Sequence, residues 1–169
     1  MRKNKLINNI LGQKISSLDY KGEEHEQLRD EDVQQLATAL KHPETKFRGP
    51  LKLSKNVNLT DLSGLYLAEI FATKHGHAIT ELDLSGNLKM ESKTAQFIGE
   101  ALLSNPHYPI EKMHFKGVNL EETGLYRLIE AVNANKSIHK LHVGVISDYG
   151  LRTLAELLPL NKSLLKLEF

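Results

Sequence analysis

Ile79-Thr80-Glu81-Leu82-Asp83-Leu84-Ser85-Gly86-Asn87 is the stretch that decides the fold. Leu82 and Leu84 alternate with Glu81, Asp83 and Ser85, the period of a strand with one buried face, and Ser85-Gly86-Asn87 supplies turn residues. The apolar spacing returns at Ile110-x-x-Met113-x-Phe115, Ile138-x-x-Leu141-x-Val143 and Leu164-x-x-Leu167-x-Phe169. Between these runs a helix-period phrase recurs: Leu67-Ala68-Glu69-Ile70-Phe71, Ile98-Gly99-Glu100-Ala101-Leu102, Leu128-Ile129-Glu130-Ala131-Val132 and Leu154-Ala155-Glu156-Leu157-Leu158. Alternation of the two patterns at near-constant intervals identifies a solenoid.

Upstream, Leu51-x-Leu53 followed by Asn56 repeats the pattern of Leu82, Leu84 and Asn87, although Arg48-Gly49-Pro50 weakens the start of that strand. Ile15-x-x-Leu18-x-Tyr20 and Leu36-Ala37-Thr38-Ala39-Leu40 complete a first repeat. Equivalent strand positions lie 31 residues apart from Leu51 to Leu82, 31 to Met113, 28 to Leu141 and 26 to Leu167, so length changes fall in the loops. Residues 15–169 thus read as six strands and five helices. Residues 1–14 read as an N-terminal capping segment, in which Leu6, Ile7, Ile10 and Leu11 form one helical face closed by Gly12. Asp30, Glu31 and Asp32 predict an N-cap and an acidic first turn.

A single repeat cannot fold alone. About six apolar side chains at roughly 1.5–3 kcal/mol each do not outweigh ordering about thirty residues at ~1–2 kcal/mol apiece. Stacked repeats joined through helices must have parallel strands. Strands pack closer together than helices, so the stack curves into a right-handed horseshoe segment with strands on the concave face and helices on the convex one. Glu69, Glu100, Glu130 and Glu156 then face water.

Bulk composition narrows the function. A chain of 169 residues with 40% apolar content makes one domain. Its 22 basic and 21 acidic residues leave no global field for nucleic acid or an anionic membrane. No run approaches the ~18 apolar residues of a membrane span. Asn8 and Asn9 interrupt the segment behind the basic start, which lacks a secretory h-region, so an intracellular or non-classically exported protein is expected. Zero cysteines exclude disulfides, thiolate metal sites and cysteine nucleophiles. Phosphate-loop, dinucleotide and nucleophile-elbow signatures are absent, and neither cofactor nor catalysis is expected.

The pattern L-x-x-L-x-L-x-x-N, followed by a helix and an Asn-x-Ser-apolar return, resembles the leucine-rich repeats of the ribonuclease-inhibitor type. Leu82-Asp83-Leu84-Ser85-Gly86-Asn87, Asn135-Lys136-Ser137-Ile138 and Asn161-Lys162-Ser163-Leu164 carry the resemblance. It implies that Asn56 and Asn87 tie their side chains to neighbouring loop backbone. Val118 and Ile146 stand at the next two equivalent positions, so this asparagine ladder should fray in the later repeats. Similar repeats occur in innate-immune receptors, tropomodulins, Ran GTPase-activating proteins and effectors of intracellular bacterial pathogens.

Solvent-facing strand residues form columns across the concave face: Glu81, Lys112, Lys140, Lys166; then Asp19, Lys52, Asp83, His114, His142, Glu168; then Lys21, Ser54, Ser85, Lys116, Gly144. Lys112, His114, Lys116, Lys140, His142 and Lys166 gather positive charge over the last three repeats, and are expected to bind an acidic protein surface. With a reference imidazole pKa near 6.5, the histidines would strengthen that contact at lower pH. No metal is expected at His114 and His142, because no carboxylate in their columns lies between them. His75, His77 and His107 fall in return loops, where exposed histidine is ordinary.

The reading is a non-enzymatic protein-interaction scaffold. Its cysteine-free, Lys/Asn-rich composition is compatible with a bacterial effector in a host cytoplasm. The alternative is GTPase activation, with Arg29 at the end of the Lys21-to-Asp30 loop and Asn87 on the same rim. Phe169 ends the chain on a strand, so either the protein continues or that edge pairs with another molecule, such as a second copy.

Overall fold

The computed structural model describes residue 10 and residues 15–23, 26–74 and 77–169. Six strands, β1 (Leu18–Asp19), β2 (Arg48–Lys52), β3 (Ala78–Asp83), β4 (Lys112–His114), β5 (Lys140–His142) and β6 (Lys166–Glu168), form one parallel sheet in chain order. Five helices connect them: α1 (Asp30–Leu40), α2 (Asp61–Ala72), α3 (Ser92–Ser104), α4 (Glu121–Ala134) and α5 (Asp148–Leu157), the last running into a short 3₁₀ turn. Leu18, Leu51, Leu82, Met113, Leu141 and Leu167 pair across all six strands, the register that the repeat spacing implies. Pro50 sits in an interior strand because the register shifts between Gly49 and Pro50, an irregularity that accommodates its missing N–H. No described helix is long and apolar enough to cross a membrane.

The core lies between sheet and helices. Leu51, Leu82, Met113 and Leu141 from the strands meet Leu67, Ile98 and Leu128 from the helices, all fully buried. Small residues let the helices approach. A Cβ at Gly64 would lie 2.8 Å from Thr94 Cα, and one at Gly99 would lie 2.9 Å from the Arg127 carbonyl oxygen. Of the segment read as a cap, only Ile10 is described; it is helical and buried in the core. Residues 1–9 and 11–14, together with Glu24, His25, His75 and Gly76, lie outside the described residues.

Three sets of polar contacts lock one repeat to the next. The Asn56 amide donates to the carbonyls of Tyr20 (2.6 Å) and Leu53 (2.9 Å) and accepts the Leu28 N–H. Asn87 accepts the Asn56 N–H at 2.7 Å and donates to Leu53 and Leu84 carbonyls. At the helix starts, the Asp30 carboxylate accepts from Thr60 and Ser63, and that of Asp61 accepts from Glu91 and Thr94. The acidic first turn therefore serves the next helix, while Arg29, rather than Asp30, occupies the α1 N-cap. Beyond the helix ends, Asn105, Asn135 and Asn161 each donate to a carbonyl of the preceding repeat. His77 departs from the expected exposed loop histidine. It is buried, with Nε2 3.2 Å from the Ile70 carbonyl oxygen and its ring beside Tyr108.

Candidate functional site

Strand alternation sends Leu82, Met113 and Leu141 inward and their flanking residues onto the opposite, solvent-facing side of the sheet. The pairing Glu81, Lys112, Lys140, Lys166 forms one row there, and Lys52, Asp83, His114, His142, Glu168 forms the next. Five of the six expected contact residues therefore belong to two adjacent rows over β4, β5 and β6. Lys116 lies two residues beyond β4, where its carbonyl accepts the Gly86 N–H.

Lysines paired across adjacent strands would repel one another, and carboxylates flank the row on both sides. Lys112 Nζ lies 3.8 Å from Glu81, which also stands 3.9 Å from Lys52 and 3.8 Å from His114 Nε2. Glu168 bridges Lys140 at 2.9 Å and Lys166 at 2.7 Å. Hydrogen bonds from Lys166 and Lys140 hold the Glu168 carboxyl at a pKa of about 2. These pairings weaken the positive field that Lys112, Lys140 and Lys166 offer to a partner.

His114 is pushed below the ordinary imidazole range chiefly by burial, and the neighbouring Asp83 and Glu81 charges do not reverse this. Its protonation thus comes at lower pH than a free imidazole would give. No carboxylate lies between the two histidines, but one lies beyond them: Glu168 is the register partner of His142, and a potential ligand atom from each of His114, His142 and Glu168 lies within 4.8 Å of the others.

The less compensated cations lie along the rim. An open concavity of about 650 Å³ is lined by Lys21, Lys52, Lys55 and Lys116, with Ser54, Ser85 and the Asp19 and Asp83 carboxylates among them. Among the described residues, the ammonium groups of Lys21, Lys55 and Lys116 have no ion pair. Lys55 adopts φ 60°, where the next two repeats place Gly86 (φ 76°) and Gly117 (φ 82°). A lysine in left-handed backbone costs about 1 kcal/mol relative to glycine, so its side chain occupies this rim against a local conformational preference. Sequence columns registered Lys21 and Lys116 but missed Lys55. The available signal was the substitution of lysine into the Ser-Gly-Asn turn phrase.

Arg29 is exposed and its backbone N–H donates to Asp32. Asn87 is fully buried, with its side chain committed to three backbone groups. The rim pairing expected for GTPase activation therefore loses one member to a structural role.

No protein-family model and no curated protein matches the chain. Its fold is shared by solved structures. A Caenorhabditis elegans tropomodulin C-terminal domain superposes with a TM-score of 0.72 at 14% identity, covering 95% of this chain and 93% of the other. The leiomodin-1 actin-binding site 2 gives 0.66 at 17%, covering 94% and 88%. These neighbours correct the expected ribonuclease-inhibitor type. The physical reason is visible in the repeat: its length drops from 31 to 26 residues, and the asparagine ladder stops at Asn87 because Val118 and Ile146 cannot continue it. The chain is thus similar in fold, across nearly its whole length, to the tropomodulin and leiomodin domains.

Proposed function

We propose that this chain is a non-enzymatic protein-interaction scaffold that grips an acidic protein surface with the concave face of its sheet. The observation that carries this reading is the rim concavity, where Lys21, Lys55 and Lys116 converge without ion pairs among the described residues. Lys112, His114, Lys140, His142 and Lys166 extend the contact along the same face. A partner carboxylate can compete there for lysines held by Glu81 and Glu168, and such exchange favours selectivity over raw affinity.

The likeness to a leiomodin-1 segment described as an actin-binding site nominates actin as the first partner to test. Neither the pathogen-effector reading nor GTPase activation draws support from the geometry or from the comparisons. The test is equilibrium binding of purified actin to the wild-type chain and to a Lys112→Glu/Lys140→Glu variant. Saturable binding that weakens at least tenfold in the variant supports the proposal. Unchanged affinity removes the strand lysines from the contact.

A further inference from the structure

We infer that the concave face carries a divalent transition-metal site of the zinc class, built from His114, His142 and Glu168. The three residues occupy one register row on β4, β5 and β6. One potential ligand atom from each lies within 4.8 Å of the other two. Two imidazoles and a carboxylate form a ligand set that zinc accepts, leaving a fourth position for water. Tetrahedral bonds of about 2.0–2.1 Å require donor atoms about 3.3 Å apart. Closing the site therefore takes at most about 1.5 Å of side-chain adjustment, within reach of rotamer changes on an unmoved sheet.

A second observation points to the same place. The Nε2 atom of His142 is sealed from solvent and has no hydrogen-bond partner among the described residues. Buried polar atoms ordinarily have partners, and coordination would supply the missing interaction to this imidazole. The two rings meet edge to face, with centroids 6.1 Å apart. Lys140 and Lys166 oppose the ion, since each holds one Glu168 oxygen. Their charges lower the affinity without removing a ligand, because a carboxylate oxygen that accepts one hydrogen bond retains a second lone pair. A bound ion would cross-link three consecutive strands and stabilise the last repeats by mass action.

The test is calorimetric titration of the wild-type chain with zinc chloride, paired with cobalt(II) absorption as a reporter of tetrahedral nitrogen and oxygen ligation. The expected result is one ion per chain with micromolar affinity. His142→Ala and Glu168→Gln should each weaken it by about 100-fold, the upper end of what outer-shell losses alone cause. Lys140→Met/Lys166→Met should strengthen it roughly tenfold, because two nearby like charges are removed. Glu168→Gln preserves side-chain shape, and unchanged circular dichroism confirms that each variant folds. Absence of wild-type binding overturns the inference. So does binding that persists in both ligand variants, which would place the ion on other histidines. The titration uses metal alone, so its failure leaves the partner proposal intact.

Discussion

Replacing Asn87 by alanine tests the repeat lock most sharply. The side chain is fully buried and makes three hydrogen bonds: it accepts the Asn56 N–H at 2.7 Å and donates to the Leu84 and Leu53 carbonyls at 2.7 and 3.1 Å. Leu53 O retains a bond from Asn56, and Leu84 O keeps a long 3.4 Å contact from the residue 87 N–H. The Asn56 N–H is left with no partner. An orphaned buried donor costs about 1–3 kcal/mol, and each of the two weakened carbonyls adds about 0.5–1 kcal/mol. The sum is about 3 kcal/mol, a large fraction of the ~5–15 kcal/mol that holds a typical domain together. Urea denaturation followed by far-ultraviolet circular dichroism should show a lower midpoint with an unchanged slope, and Tm should fall by about 6–12 °C. A loss below about 1 kcal/mol would refute the reasoning, because it would mean that water replaces these bonds without penalty.

Gly64→Ala should destabilise the protein by about 1–3 kcal/mol despite alanine's better helix propensity, since its Cβ would meet Thr94 Cα at 2.8 Å; chemical denaturation reads this directly. Lys55→Gly should raise stability by about 1 kcal/mol by relieving φ 60° and should weaken binding of an acidic partner, so a paired melting and affinity measurement separates its two effects. Asp30 supplies a pH prediction. Burial alone would raise its pKa, but hydrogen bonds from Ser63 and Thr60 outweigh burial and hold it below the ordinary value. Its contribution is therefore present above the unfolded carboxylate pKa of about 3.9 and is lost as pH falls through the lower folded value. The stability difference between wild type and Asp30→Asn, measured by denaturation across that acidic range, should shrink as the pH drops.

The six-strand alternation was legible because two periodicities, two within strands and 3.6 within helices, recur at intervals near thirty residues. Leu51, Leu82, Met113, Leu141 and Leu167 pair as the spacing implies. The rows of Lys112 with Lys140 and of His114 with His142 follow from that same register. Electrostatic partners were harder to read, because a residue type does not specify which rotamer brings Glu81 toward Lys112 or Glu168 between Lys140 and Lys166. Glu168 already stood next to His142 in the histidine column, but requiring a carboxylate between His114 and His142 passed over the one beyond them, which the register confirms as the partner of His142. His77 was misread because loop position says nothing about the Ile70 carbonyl and the Tyr108 ring that receive it. Lys55 required comparison of turn phrases: lysine stands where Gly86 and Gly117 show that the backbone is left-handed. The repeat type was misassigned because the asparagine motif is complete only at Asn56 and Asn87, while Asn105, Asn135 and Asn161 take over the inter-repeat bonding at the helix ends.

Affinity for purified actin tests the central claim most directly when charge is reversed on one side of the solenoid at a time. The account predicts saturable wild-type binding that falls at least tenfold in Lys21→Glu/Lys55→Glu/Lys116→Glu and holds within twofold when the exposed helix residues Lys93 and Arg152 are reversed instead. Absence of wild-type binding, or equal losses from the two sets of substitutions, would contradict it.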